Sequence, residues 1–401
     1  MGVRPISQPE DPWRSHLLVA SLFFVLGTDL FMISPLIPEI SASTGVSVQQ
    51  ASLVTSVFAA TYMVCGPPAA LLSDRFTRRI AISAGGVLFG IGALIAAGTG
   101  AFGIVLAGRV VCAIGAAFMS APVWAYVTET AAPARTGRAV ALVSGTFAAG
   151  QIVGVPLSAF LAGWGSWQLA FLLTGSGAIL AAIFVFVRLR SEPRHSSAGT
   201  LRSGIVRSLR VWRQPRLVLL MATNVFGQGA RQAPYTFAGA IMVSRFGVGV
   251  DVLGWIGAIV GAGSLLGATM GGRVIDWVRR RGIPQPLVSL VAALVVSATL
   301  PVAILADAIA VVAVGWVCVF GFGAVLVSNV QEQLTRTAGE DRVYALSWNN
   351  SGLYAGVATG TILLSLFPLA SAGFVWVAVG VALSSAVCSA LLVAIRRQRG
   401  C

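Results

Sequence analysis

The hydrophobic pattern of the chain consists of long apolar runs that are separated by short polar segments rich in arginine, glycine and proline. Each run reaches about 20 residues, the length that an α-helix needs to cross the hydrocarbon core of a bilayer. Many of the runs are apolar on every side, so their periodicity does not fix how each helix is rotated. The pattern predicts twelve membrane-spanning helices, at 16–38, 48–72, 80–98, 103–128, 139–163, 168–188, 217–244, 253–275, 287–306, 309–331, 343–367 and 373–395.

The amino-acid composition supports this prediction. Hydrophobic residues make up 57% of the 401-residue chain and charged residues 10%, against about 45–50% and about 25% in soluble domains. The net charge of +14 comes from arginine, because the 27 basic residues include no lysine. Of these arginines, 24 fall in segments that the twelve spans place on one side of the membrane. The charge therefore indicates topology: a multi-pass protein of the cell membrane with both termini in the cytoplasm.

The two halves of the chain repeat each other at a nearly constant spacing. Asp74 in SDRFTRR and Asp276 in IDWVRRR are 202 residues apart. Glu129 and Glu332, at the ends of the fourth and tenth spans, are 203 residues apart. A third match, between two pairs of glycines, has an offset of 206 residues. Such a duplication predicts an all-α membrane protein of two six-helix, pseudo-symmetric halves.

Polar segments mark the boundaries of these halves. The stretch from Arg188 to Arg216 has eight arginines and one glutamate, with serine, glycine and proline among them. A basic segment beside a membrane attracts anionic lipids, so we expect anionic lipids at the cytoplasmic face as partners, and no nucleic acid. The predicted parts are a cytoplasmic tail at 1–15, a six-helix half at 16–188, a basic linker at 189–216, a second half at 217–395 and a cytoplasmic tail at 396–401.

The segment after the second span resembles a loop motif of the major facilitator superfamily, G-x-x-x-D-R-x-G-R-R, and the resemblance extends over essentially the whole chain. Ala70 and Thr77 replace the two glycines of the motif, while its charged residues remain. In this family the loop is a latch that stabilises the outward-facing state, and the resemblance implies that role here. The alternative is that the charges only determine topology. The residues assigned to the latch are Asp74, Arg75, Arg78, Arg79, Glu129, Asp276, Arg279, Arg280 and Glu332.

Two further segments resemble those of drug antiporters in the same family. Gly150, Gly154 and Pro156 match part of the fifth-span signature of these antiporters. Glycines four residues apart let two helices approach closely, and a proline bends a helix. Helix packing without any link to antiport is the alternative interpretation. The segment GTDLFM at 27–32 resembles the first span of proton-coupled drug exporters, which include phenicol exporters and purine or sugar efflux proteins.

Three charged residues lie at membrane depth: Asp29, Arg109 and Arg231. A charge there costs about 2.5–3.5 kcal/mol on insertion scales and usually pairs with an opposite charge. Arg109 resembles the fourth-span arginine that this family ties to proton transfer. Asp29 and Arg231 are 202 residues apart, so the duplication puts them at equivalent places in the two halves. We expect Asp29 to carry the proton, with Arg109 or Arg231 alternately its partner; a static ion pair that fixes helix packing is the alternative.

In this fold the first helix of each half lines the central cavity, where we expect the substrate. Small-molecule pockets are mostly apolar with a few hydrogen-bonding groups. Contact with lipid or packing in the core is as good an interpretation for each candidate. The candidates for the cavity wall are Phe31, Met32, Tyr62, Asn224, Gln228, Gln232, Tyr235, Asn349, Asn350 and Tyr354.

These observations favour a proton-coupled secondary transporter that exports a small amphiphilic compound by alternating access. A drug or antibiotic is the expected substrate, a phenicol in particular; efflux of a nucleoside, purine or sugar-like metabolite is the alternative. A membrane sensor without transport activity is less favoured, because no soluble domain is evident between the spans. The chain has no lysine and hence no P-loop, and no cluster of metal-ligand spacing. We expect no enzymatic activity, no cofactor and no metal, and a protein that works as a monomer.

Overall fold

The computed structural model describes residues 12–98, 100–132, 135–189 and 208–398. Regular structure in these ranges is helical throughout, without a β-strand. The long helices are α1 (Pro12–Thr44), α2 (Val48–Ser73), α3 (Arg78–Ala97), α4 (Phe102–Thr130), α5 (Thr136–Trp164), α6 (Trp167–Arg188), α7 (Pro215–Thr236, continued by Ala238–Phe246), α8 (Val250–Arg280), α9 (Pro286–Leu305), α10 (Ile309–Thr337), α11 (Arg342–Ser365) and α12 (Ala372–Gln398).

Each predicted span overlaps one of these twelve helices, so the predicted fold class is confirmed. Within the described ranges, ten of the helices are long and apolar enough to cross a membrane, by length and composition alone. The other two, α7 and α11, carry more polar side chains. Some of these groups bind each other inside the protein: Asn224 Nδ2 of α7 donates to Asn349 Oδ1 of α11 at 2.9 Å. A span can be less apolar where its polar groups face protein instead of lipid.

The helices α1 to α6 and α7 to α12 form two halves of the same layout. In the first half α3 packs on α4 and α6, and in the second half α9 packs on α10 and α12. The main contacts between the halves are α1 with α7, α2 with α11, and α5 with α8. The last two pairs correspond to each other when the halves are exchanged. Most of the predicted linker, residues 190–207, and the chain ends at 1–11 and 399–401 lie outside the described residues.

The bundle has two ends, which differ in charge. We call the end where α1 begins and α12 ends the basic end, because it carries most of the arginines, among them Arg75, Arg138 and Arg281. At the opposite end, Arg245 Nη2 lies 2.9 Å from Asp307 Oδ1. All seven ion pairs of the described residues join side chains within one half. No ion pair in this part of the chain therefore holds the halves together.

A π-helical turn at Gly150–Gly154 interrupts α5. This turn lies directly on α1, where Thr28 Oγ1 donates to the carbonyl oxygen of Gly150 at 3.1 Å. A Cβ atom at Gly154 would overlap the side chain of Thr28. Pro156, which has no N–H to donate, follows two residues later. The glycines thus allow α5 to approach α1 one residue away from the buried carboxylate of Asp29.

Candidate functional site

Asp29 of α1 and Arg109 of α4 form an ion pair in the interior of the first half. The Nη1 atom of Arg109 donates to both carboxylate oxygens of Asp29, at 2.9 Å to Oδ1 and 2.7 Å to Oδ2. The exposed fraction of the side chain is 0% for Asp29 and 1% for Arg109. The sequence left two partners open for Asp29, and the structure brings Arg109 to it.

Arg109 also contacts two further helices. Its Nε donates to the backbone carbonyl of Val54 in α2 at 3.2 Å. Its guanidinium carbon lies 4.5 Å from the ring centroid of Phe58 in α2 and 5.8 Å from that of Phe171 in α6. These hydrogen bonds and aromatic faces offset part of the desolvation cost of a buried guanidinium. The ion pair therefore connects α1, α2, α4 and α6.

A series of aromatic rings leads from Arg109 to the second half. The ring of Phe58 lies 6.5 Å from that of Tyr62 in α2 and 6.1 Å from that of Tyr354 in α11. Tyr62 and Tyr354 are stacked, with centroids 3.8 Å apart and an interplanar angle of 29°. Asn350 Nδ2 of α11 donates to the hydroxyl of Tyr62 at 2.9 Å. The ion pair is thus adjacent to a contact between the halves.

Arg231 has different surroundings from Asp29, although the two positions correspond in the duplication. Its Nη2 donates to Gln228 Oε1 at 2.7 Å, and its guanidinium carbon lies 5.1 Å from the ring centroid of Phe320. Its buried Nε has no hydrogen-bond partner. No carboxylate among the described residues forms an ion pair with it. The second half therefore has an inward guanidinium where the first half has a carboxylate.

An aromatic cluster surrounds the place where α1 meets α7. Phe31 lies 6.1 Å from Tyr235, 5.7 Å from Phe320 and 6.4 Å from Phe147, measured between ring centroids. Trp316 joins the cluster 5.3 Å from Tyr235. Phe31 and Tyr235 were predicted as cavity residues, whereas Phe147, Trp316 and Phe320 were not singled out. In a uniformly apolar run, the sequence does not show whether an aromatic side chain packs inside the protein or contacts lipid.

A polar contact between α1 and α7 was also missed. Ser34 Oγ donates to the backbone carbonyl of Tyr235 at 2.5 Å and accepts a hydrogen bond from the Gly239 backbone N–H at 3.3 Å. A Cβ atom at Gly239 would overlap the backbone of Ser34. The first helices of the two halves, α1 and α7, therefore touch through their backbones on the side of the bundle opposite the basic end.

The remaining cavity candidates lie in other environments. Met32 is fully buried and belongs to the hydrophobic core of the first half. Asn224 and Asn349 are buried and bind each other within the second half. Gln232 is 7% exposed, and its Oε1 has no hydrogen-bond partner. The Oδ1 atom of Asn224 also has no partner, but Asn224 donates a hydrogen bond to Asn349 through its amide group.

The first copy of the charged loop forms a three-residue ion-pair group at the basic end. Arg78 Nη1 lies 2.8 Å from Asp74 Oδ1, and Arg78 Nη2 lies 3.0 Å from Glu129 Oε1. The group connects the end of α2 with the start of α3 and the end of α4. Arg79 does not join it; its guanidinium carbon lies 4.2 Å from the ring centroid of Phe186 in α6.

The second copy repeats this geometry. Arg279 Nη2 lies 2.7 Å from Asp276 Oδ1 and 3.3 Å from Glu332 Oε1. Arg75 and Arg280 are exposed, and neither forms an ion pair within the described ranges. Each half therefore has its own ion-pair group of an arginine, an aspartate and a glutamate, and in the second half Arg336 adds a longer contact to Glu332, at 3.7 Å.

Two six-helix halves with a buried ion pair beside the contact between them define a polytopic membrane transporter. The family model described as Major Facilitator Superfamily matches residues 19–340. The chain belongs to this superfamily. No group of three or more His, Cys, Asp or Glu side chains in the described part of the chain is placed to hold a metal ion.

The names of several relatives refer to resistance to a drug or to its efflux. A chloramphenicol resistance protein of Streptomyces lividans is 29% identical over 354 residues, which cover 86% of this chain and 87% of the relative. A chloramphenicol efflux pump of Mycobacterium tuberculosis is 24% identical over 383 residues, 92% of each chain. Among solved structures, a POT family transporter in complex with 5-aminolevulinic acid has a TM-score of 0.78 at 12% identity, with 96% of each chain covered. At that identity the structural likeness shows the fold alone.

Proposed function

We propose that the protein exports a small amphiphilic compound, a phenicol in particular, in exchange for protons, by alternating access of its two halves. The observation that carries the proposal is the fully buried Asp29–Arg109 pair beside the contact between the halves. The similarity to the two chloramphenicol-related proteins supports the substrate class.

Asp29 is the proton carrier in this proposal. Because its side chain is 0% exposed in the present arrangement, a proton reaches it only after the helices rearrange. A proton on the carboxyl group removes its negative charge and weakens both hydrogen bonds from Arg109. Arg109 then keeps the backbone carbonyl of Val54 and the face of Phe58 as its partners.

The aromatic series gives a physical route from proton binding to the movement of the halves. A shift of Arg109 displaces Phe58, which lies against both Tyr62 and Tyr354. Opening of the bundle at the basic end requires that the stack of these two tyrosines and the hydrogen bond from Asn350 be broken. A contact that forms or breaks as a unit is the kind of two-state element that couples two sites.

The substrate site in this proposal lies where the aromatic cluster meets Arg231, whose guanidinium carbon is 5.1 Å from the ring centroid of Phe320. Phe31, Tyr235 and Phe320 pack against one another in the present arrangement, and in this proposal they separate to receive an apolar or aromatic substrate. The donors of Arg231 bind an acceptor oxygen such as a carbonyl, hydroxyl or nitro oxygen. This combination of an apolar wall with few polar groups is typical of small-molecule sites.

The orientation follows from charge. With the basic end in the cytoplasm the arginine-rich loops obey the positive-inside rule, and both termini lie in the cytoplasm. The ion-pair groups at Arg78 and Arg279 then act as latches on the cytoplasmic side. A single chain carries every residue that the proposal uses, so we propose a monomer as the working unit.

Substrate-dependent proton movement tests the proposal. Purified protein is reconstituted in liposomes with an imposed pH gradient, and an internal pH-sensitive dye is followed as chloramphenicol, a nucleoside or a sugar is added. We expect chloramphenicol to dissipate the gradient at a rate that saturates with concentration, and protein-free liposomes to show no such change. A response to the nucleoside alone would replace the drug with a metabolite as substrate. A response to none of the three would contradict the proposed substrate class.

A further inference from the structure

A cavity of about 550 Å³ opens at the basic end of the second half. Its wall includes Arg216 at the start of α7, Gln333 and Arg336 near the end of α10, and Leu392 and Ile395 near the end of α12. None of these residues belongs to the ion pair of the first half or to the aromatic cluster. The cavity is therefore separate from the proposed proton and substrate sites, and it lies beside the second ion-pair group, where Arg336 is 3.7 Å from Glu332.

The arginines of this cavity have guanidinium N–H donors that no carboxylate occupies. Arg216 takes part in none of the ion pairs that the described residues form. Arg336 Nη1 has one carboxylate near it, Glu332 Oε1 at 3.7 Å. That carboxylate is shared, because Arg279 lies 3.3 Å from Oε1 and Gln285 Nε2 donates to Oε2 at 2.9 Å. The cavity wall thus has a net positive charge that favours an anion.

Gln333 provides a second and independent indication of a ligand. Its side chain is 4% exposed and lines the same cavity. Its Nε2 has no hydrogen-bond partner. A buried amide donor without an acceptor is costly, so a native structure rarely keeps one without a ligand, water or ion to bind it. A negatively charged oxygen in the cavity would satisfy this donor.

The other side of the cavity is apolar. Leu392 and Ile395 belong to α12. Earlier in the same helix, leading away from the basic end, Val387 and Leu391 are 58% and 48% exposed. An apolar helix face that leads away from a basic cavity suits a molecule with one anionic group and a long hydrocarbon chain. Free phosphate offers the same anionic chemistry but has nothing to place on this face.

We propose that this cavity binds the headgroup of an anionic phospholipid, with its phosphate between Arg216 and Arg336 and within reach of Gln333, and with an acyl chain along α12. Basic pockets between membrane helices bind anionic headgroups in this way. The anionic lipids that we expect at the basic end thereby have a specific binding site. It does not depend on the substrate or on proton coupling.

Native mass spectrometry of the full chain, freed from detergent in the gas phase, tests the site. Phosphatidylglycerol, phosphatidylcholine or inorganic phosphate is titrated onto the wild type, Arg216→Gln and the control Arg213→Gln, which removes an exposed arginine outside the cavity wall. We expect phosphatidylglycerol to bind the wild type and the control equally. Loss of a hydrogen bond between charged groups predicts about tenfold weaker binding to Arg216→Gln. Equal binding to all three proteins would overturn the site.

Gln333→Leu gives a test that does not rely on charge. The variant removes the unpaired donor, so we expect its melting temperature without lipid to equal or exceed that of the wild type. The rise in melting temperature on adding phosphatidylglycerol should be smaller than in the wild type. An undiminished rise would contradict the role of Gln333. If inorganic phosphate bound with the same dependence on Arg216 and phosphatidylglycerol did not, the ligand would be a soluble anion and the lipid assignment would be wrong.

Discussion

Tyr62 of α2 stacks on Tyr354 of α11 with ring centroids 3.8 Å apart, and this stack crosses the boundary between the two halves. Within the described residues no ion pair crosses that boundary, so close helix packing, aromatic contacts and a few hydrogen bonds hold the halves in this arrangement. Such contacts are individually weak, and an alternating-access transporter needs contacts that it breaks in every cycle.

Removal of the stack should change the transport rate. Tyr354→Ala eliminates the ring that lies on Tyr62, an interaction worth about 0.5–1.5 kcal/mol beyond its buried area. Tyr354→Phe keeps the ring and serves as the matched control. We expect the initial rate of drug export in inverted vesicles to change severalfold in the alanine variant and little in the phenylalanine variant. Equal rates in the two variants would show that the stack has no part in the cycle.

Gly154→Ala should destabilise the protein. The added Cβ meets the side chain of Thr28 in α1. Overpacking of this kind typically lowers the free energy of unfolding by about 1–3 kcal/mol. Gly163→Ala is the control in the same helix, because a Cβ at Gly163 meets no atom within 4 Å. Thermal unfolding in detergent should show a lower melting temperature for Gly154→Ala alone. An unchanged melting temperature would mean that α1 and α5 separate here without cost.

The buried ion pair should cost stability when one partner is removed and less when both are replaced. Arg109→Met leaves the Asp29 carboxylate buried without a partner, for a loss of about 3–5 kcal/mol. The double variant Asp29→Leu/Arg109→Met removes both charges, so it should be more stable than Arg109→Met. Chemical unfolding of the three proteins checks this order. A double variant no more stable than Arg109→Met would contradict this order.

Arg78→Gln should affect activity more than stability. The side chains of this group are partly exposed, at 20% for Arg78 and 38% for Glu129, so solvent screens the pair to at most about 1 kcal/mol. Its proposed role as a latch predicts a clear change in export rate. Arg75→Gln, which removes an exposed arginine of the same loop, is the control. Identical export rates for the two variants would reduce the loop to a determinant of topology.

Much of the architecture was predictable because it depends on long-range regularities of the sequence. Apolar runs of membrane length gave the twelve spans, and constant offsets gave the two halves. The offset also predicted that Asp29 and Arg231 correspond. Spacing along the chain has no information on distances between helices, however, so it left both Arg109 and Arg231 as partners of Asp29.

The details of the site depend on helix rotation and on local breaks in helices, which uniformly apolar segments do not encode. Phe58 lies between Arg109 and Tyr354, yet nothing in its sequence context separates it from a lipid-facing phenylalanine. The π-helical turn at Gly150–Gly154 packs on α1. The sequence indicated a close approach through these glycines, but it did not indicate the helix that they approach.

A comparison of uphill with downhill export by Asp29→Asn tests whether Asp29 carries the proton. Asp307→Asn is the matched control, since Asp307 also pairs with an arginine but its side chain is fully exposed at the opposite end. Proteoliposomes with and without a pH gradient report both modes in one preparation, and downhill export shows that the variant is folded. We predict that Asp29→Asn exports drug down its gradient but no longer accumulates it against one, while Asp307→Asn does both. Uphill accumulation by Asp29→Asn at the wild-type level would contradict the assignment of Asp29 as the proton carrier.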